Sequence, residues 1–182
     1  KLSSGDILIH GLNVKQNKNI LSEVGFLSHQ TQLYEDLSIE ENLLFFARLY
    51  GLAPLGVHIE RIIEFMGLKK YRKRKVREIS QGMRQRVALA RTTLHKPSIV
   101  LFDEPYTGLD INAQELLKAE MIRLKSERHT CLFITHDMQE AAPLIDRIII
   151  INSGRVALDQ DWRGSGAELS QLYEYHMNKS TL

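Results

Sequence analysis

Ile99-Val100-Leu101-Phe102-Asp103-Glu104-Pro105 is a short apolar run that ends in two adjacent carboxylates and a proline. Apolar residues confined between Pro97-Ser98 and Pro105 leave too little length for a helix and suit a central strand covered on both faces. The carboxylates would then stand at the carboxyl edge of a sheet, where open α/β sheets bind their ligands. Successive strand side chains point to opposite sides, so Asp103 and Glu104 cannot do the same job. One can face a Mg2+ ion while the other faces an attacking water. A strand closing in a solvated acidic turn would read the same way, and the neighbouring segments decide between the two.

The chain has 182 residues, 43% of them hydrophobic, enough to bury a core within one domain. Lys plus Arg (24) against Asp plus Glu (22) leaves a net charge of +2, too balanced to argue for a nucleic-acid binder. The single cysteine, Cys131, excludes an internal disulfide and falls in an expected strand, where core packing is its expected role. The longest strongly apolar run, Ile148 to Ile151, is too short to cross a bilayer, so the chain is expected to be soluble and any membrane role to need a partner.

Working outward, Gly5 to Gly11 reads as a short strand between glycine turns, and Val24-Gly25-Phe26-Leu27-Ser28 as a second strand. The latter runs into His29-Gln30-Thr31-Gln32, a polar loop placed to reach a ligand. Ser38-Ile39-Glu40-Glu41 has capping-box spacing, and Leu43, Leu44, Phe46, Ala47 and Tyr50 follow at helical period up to Gly51. Ile59, Ile62, Ile63 and Met66 repeat the pattern ahead of Gly67. Two successive helices interrupt the α/β rhythm and predict a small helical subdomain over residues 36–95. The basic run from Lys69 to Arg77 reads first as a solvated face. A nucleic-acid surface is disfavoured, because only Tyr71 is interleaved as an aromatic.

Ile79-Ser80-Gln81-Gly82-Met83-Arg84-Gln85-Arg86 then opens a helix in which Ser80 is a good N-cap and Val87, Ala90 and Leu94 face the core. Free N–H groups and the positive end of the helix dipole make such a start an anion site, and glycine permits close approach. An ordinary capped helix is the plainer reading of these residues alone. Downstream, an amphipathic helix is expected after Asp110, with Ala113, Leu116, Leu117, Glu120 and Leu124 on one face. Thr130 to Thr135 is a strand whose far end carries His136. A helix from Met138 to Ile145, a hairpin of Arg147–Asn152 with Arg155–Leu158, and a closing helix from Ala167 to His176 complete the chain.

In content and order these segments resemble the ATP-binding cassette (ABC) ATPases. Ile79 to Arg86 resembles the signature motif, Ile99 to Glu104 the Walker B strand, and Thr107-Gly108-Leu109-Asp110 the D-loop. Gln30 matches the Q-loop glutamine and His136 the switch histidine. The implied fold is α/β, a P-loop NTPase-like core of mostly parallel strands with an inserted α-helical subdomain.

Two departures stand out. Gln81 and Met83 replace the commonest signature residues, although Ser80 and Gly82 are kept. The phosphate loop G-x-x-x-x-G-K-[ST] is absent from these 182 residues. The tail Asn178-Lys179-Ser180-Thr181-Leu182 echoes only the end of that motif. The resemblance therefore implies that Lys1 is the exit of the helix that follows the phosphate loop, and that residues 1–182 alone bind ATP poorly.

The resemblance also implies roles. ATP and Mg2+ are the expected cofactors. Asp103 would hold the Mg2+ shell, Glu104 would polarise the attacking water, and His136 would contact the γ-phosphate. Gln30 would link metal and water to a partner. Ser80 and Gly82 would close on nucleotide held by a second nucleotide-binding domain, with Asp110 at the dimer seam. A transmembrane permease subunit is the other expected partner, which places the protein on the inner face of the cell membrane. The wording from Gln32 to Ser38 and from Ser80 to Met83 is similar to the export branch, including the cytochrome c maturation haem-exporter ATPases. Two alternatives stay open: a non-catalytic cassette serving as an interaction protein, and a soluble ABC ATPase not linked to transport.

Overall fold

The computed structural model describes residues 4–28, 30–53 and 55–178. The expectations for Lys1, His29 and the tail from Lys179 onward lie outside them. Two compact units follow one another along the chain, Lys1–Ile134 and Thr135–Leu182.

The first unit opens with a hairpin of β1 (Leu8–Ile9) and β2 (Leu12–Asn13). The strand expected over Gly5 to Gly11 is therefore only two residues long. His10 and Gly11 both take positive φ, 50° and 76°, and so form the two-residue turn that folds the chain back on itself. A 3-10 helix, Lys18–Glu23, leads into β3 (Val24–Ser28).

Three helices stand between β3 and the next strand: α1 (Ile39–Leu49), α2 (Leu55–Phe65) and α3 (Gln81–Thr93). The capping box of α1 is formed. Ser38 Oγ accepts from Glu41 N, and Glu41 Oε2 accepts from Ser38 N. The basic run is more than a solvated face, because its backbone closes the start of α1. Ile39 N donates to Arg74 O and Glu40 N to Arg72 O, satisfying two amides the helix itself leaves free. Its side chains reach nearby acids, with Arg72 and Lys73 on Glu40, Lys69 on Glu64 and Arg77 on Asp36. The guanidinium of Arg72 beside Glu40 holds that carboxyl below the ordinary glutamate range.

β4 (Ile99–Asp103) pairs in parallel with β3 on one side and with β5 (Thr130–Ile134) on the other. α4 (Ile111–Ser126) is the crossover between β4 and β5. The register sets Ser28, Asp103 and Ile134 side by side, so the three strands end on one edge. Coverage of β4 departs from expectation. Val100 and Phe102 are fully buried beneath α3 and α4, whereas Ile99, Leu101 and Asp103 on the other face are half-buried. On that second face the neighbouring Phe26 and Leu132 are 40% and 50% exposed. Among the described residues of this unit, helices cover one face only.

Polar side chains of α3 finish the sheet at its β3 end. Gln85 Nε2 donates to Ser28 O, and both Arg91 Nη2 and Thr92 Oγ1 donate to Phe26 O. Carbonyls that a further strand would have bonded are thereby satisfied inside the fold. Gly25 lets α3 approach, since a Cβ there would lie 2.6 Å from Thr92 O.

The second unit contains α5 (Met138–Ala141), the hairpin β6 (Arg147–Asn152) with β7 (Arg155–Asp161), and α6 (Gly166–Asn178). α5 is shorter than the expected Met138 to Ile145, because Pro143 brings no N–H to continue the helix. Ala142, Trp162 and Leu169 form its core.

Candidate functional site

The carboxyl edge of the parallel sheet gathers the groups that the sequence placed there. Asp103 is the last residue of β4 and is half-buried, and its carboxylate has no hydrogen-bond or ion-pair partner among the described residues. A carboxylate in that setting is one that a cation would stabilise. Glu104, also half-buried, takes a left-handed conformation at φ 48°, a region that side-chain-bearing residues seldom occupy. Its amide donates to Ile134 O at 2.9 Å, which pins the turn to the end of β5. The chain therefore leaves the strand abruptly at the residue expected to handle water, and Pro105 and Tyr106 behind it are buried.

Gln30 lies two residues beyond β3 and is exposed, and its carbonyl accepts from Ser28 Oγ at 3.0 Å. Because Ser28 is in register with Asp103, the Q-loop residue leaves the sheet next to the acidic strand end. The structure thus brings Gln30, Asp103 and Glu104 to one edge. His136 opens the second unit, two residues past β5, and is exposed.

Ser80 caps α3 through its side chain, which accepts from Met83 N at 3.3 Å. Asp110 caps α4 in the same way, accepting from Ala113 N at 2.8 Å. The two caps meet at Gly82, where an added Cβ would lie 2.7 Å from Asp110 Oδ2. Gly82 is buried beneath that carboxylate, while Ser80 and Asp110 remain exposed.

Among the described residues no group of three or more His, Cys, Asp or Glu side chains could hold a metal. Mg2+ keeps several waters and takes one or two protein ligands together with substrate phosphates, so a site for it needs no such group. Asp103, with Gln30 beside it on the same edge, fits such a role. Bound there, Mg2+ would neutralise charge on the β- and γ-phosphates.

Sequence reasoning missed three buried polar residues that hold the site's supports. Asn42, fully buried in α1, accepts from Tyr34 N and donates to the carbonyls of Tyr34, Leu37 and Ser38, fixing the segment after the Q-loop. Gln85 joins α3 to Ser28. Arg91, 7% exposed, donates to Phe26 O at 2.8 Å and to Gln32 Oε1 at 3.2 Å, and lies over the ring of Phe46. Among the described residues no carboxylate pairs with its charge, and burial pulls its pKa down. The available signal was a polar residue at a core-facing position of an otherwise apolar helical stripe.

A parallel sheet with its acidic strand end, its capped glycine-bearing helix and the single-helix crossover from β4 to β5 defines an α/β nucleotide-hydrolase domain. Residues 1–107 match the ABC transporter family. The chain is 40% identical over 176 residues to the "ABC transporter ATP-binding protein NatA" of Bacillus subtilis, covering 94% of this chain and 69% of that protein. It is 33% identical over 181 residues to the "Maltose/maltodextrin import ATP-binding protein MalK" of Photorhabdus laumondii, covering 98% of this chain and 47% of that one. It is 37% identical over 134 residues to the "Nod factor export ATP-binding protein I" of Burkholderia lata, with 72% and 44% covered. The chain belongs to the ABC transporter ATP-binding proteins, a family of ATPases. It spans about two thirds of the first of these relatives and about half of the other two.

Proposed function

We propose that this chain is part of an ATP-hydrolysing subunit that drives a membrane permease. The observation that carries the reading is the pair at the end of β4: Asp103 half-buried without a partner, then Glu104 turned into the left-handed region. In this reading Asp103 and Gln30 hold the Mg2+ shell and Glu104 accepts a proton from the attacking water. His136 contacts the γ-phosphate. Ser80 and Gly82 present the start of α3 to nucleotide held by a second nucleotide-binding domain, and Asp110 lies at that seam.

The helical segment 36–95 faces the permease. Support comes from Tyr34, Phe45 and Leu49, which are 50%, 40% and 67% exposed, with the Tyr34 and Phe45 rings edge-to-face at 4.8 Å. An apolar patch of that kind beside the Q-loop suits a partner helix. No helix among the described residues is long and apolar enough to cross a membrane, so the reading places the subunit on the inner membrane face through its permease. We infer export as the direction, from the wording of residues 32–38 and 80–83, and haem export as its narrowest version. Importers and an exporter both stand among the relatives, and transport by reconstituted vesicles decides between the two directions.

Nucleotide-driven pairing tests the arrangement. Full-length Glu104→Gln protein should sediment as a dimer with Mg-ATP and as a monomer with Mg-ADP. A sedimentation profile indifferent to nucleotide would remove Ser80, Gly82 and Asp110 from their roles.

A further inference from the structure

Away from the sheet edge, a cleft of about 290 Å3 opens between α2, the end of α3 and the middle of α4. Its apolar lining comes from Ile62, Phe65, Met66 and Leu94. Met66 and Leu94 belong to the core, at 0% and 2% exposure, whereas Phe65 is 49% exposed. A phenyl ring half in water at the mouth of an apolar cleft is surface that a ligand would cover.

The polar lining is cationic. Arg61, Lys96 and Arg123 stand against a single acid, Glu120, with His58 beside them. Glu120 is 1% exposed and already neutralised, accepting from Arg123 Nε at 2.8 Å and Nη2 at 2.7 Å. Arg123 is further engaged by Glu127. The side chains of Arg61, Lys96 and His58 make no hydrogen bond or ion pair among the described residues. Lys96 also stands in the left-handed region, at φ 51°, in the turn after α3. Glycine or asparagine would hold that conformation more easily, and Lys96 at this turn is part of the cleft lining.

We propose that this cleft binds a small amphipathic anion, with its hydrocarbon body on Phe65, Met66 and Leu94 and its acid group between Arg61 and Lys96. Charge complementarity selects the acid, since the free cations exceed the one neutralised carboxylate. The apolar lining selects a ligand with a hydrocarbon body over a bare ion. Binding would tie α2 to the end of α3 and the middle of α4. The site does not depend on the nucleotide chemistry assigned to the sheet edge.

Isothermal titration of the full-length protein with octyl phosphate, below its micelle concentration, tests the proposal, with octyl glucoside and inorganic phosphate as controls. Octyl phosphate should bind at least tenfold more tightly than either control. Arg61→Glu, Lys96→Glu and Phe65→Ser should each weaken it at least tenfold while leaving the thermal midpoint in place, because all three side chains are exposed. Saturating ATP should not compete. Equal binding of octyl glucoside or of phosphate alone, unchanged binding in the variants, displacement by ATP, or no binding of octyl phosphate would each overturn the site.

Discussion

The carboxylate of Asp110 rests against the backbone of Gly82, so closely that a methyl group on Gly82 would lie 2.7 Å from Oδ2 and 3.3 Å from Cγ. Residues that start two different helices are thus in contact within one chain. Gly82→Ala should push Asp110 away from Ala113 N and cost about 1 kcal/mol, the usual value of a lost N-cap. Asp110→Ala removes both the cap and the clash, so the double variant should lose less than the sum of the two. A double-mutant cycle on urea unfolding reads the coupling, and strict additivity would contradict the contact.

Arg91 is a buried cation whose partners are neutral, bonded to Phe26 O and Gln32 Oε1. Arg91→Met keeps the bulk and removes the donors, and should destabilise the fold by about 2 kcal/mol. Arg91→Lys should recover only part of this, because an ammonium cannot span both acceptors. An unchanged urea midpoint for the methionine variant would show that the bonds contribute nothing.

Two glycines should respond with opposite sign. Gly25→Ala would set a methyl 2.6 Å from Thr92 O and 2.9 Å from Pro97 Cγ, forcing α3 off the sheet at a cost of about 1–3 kcal/mol. Gly56, within α2, has nothing within 4 Å of an added Cβ, so Gly56→Ala should raise the thermal midpoint slightly. Equal shifts in both variants would contradict the packing of α3 on β3.

Glu40 carries a pH signature. Its carboxyl lies below the ordinary value of 4.5, chiefly through its hydrogen bond with Arg72. A group with a depressed folded pKa contributes stability that is fully present above its unfolded pKa and is lost as pH falls through the folded one. Glu40→Gln should therefore lower stability at pH 7, and the gap from the parent should close on acidification below about 4.5. Unfolding midpoints across pH 3–7 measure it, and a gap constant with pH would place the effect elsewhere.

What could be read from the sequence was local. The strand from Ile99 to Asp103, the capping box at Ser38 and the cap at Ser80 are each specified within a few residues, and each is present. The mostly parallel core came only from the family resemblance, and the register that puts Ser28 next to Asp103 was not read at all. The buried polar bonds could not be read that way, because Gln85 meets its acceptor 57 residues away and Arg91 meets Phe26 at a separation of 65. The one-sided coverage of β4 among the described residues was equally hidden. An apolar run states that burial is available, and only the placement of helices decides which face receives it. The close approach of Gly82 and Asp110 left no local trace, since each residue already had a sufficient reason to be where it is, as a helix start and a helix cap.

In the proposed mechanism Glu104 accepts the proton of the water that attacks ATP. Steady-state phosphate release by the full-length protein and its Glu104→Gln variant, with ATP binding measured on the same samples, tests it most directly. The account predicts a loss of about 100-fold or more in turnover, within the range removed with a general base, and unchanged binding. Equal turnover in the two proteins would contradict it.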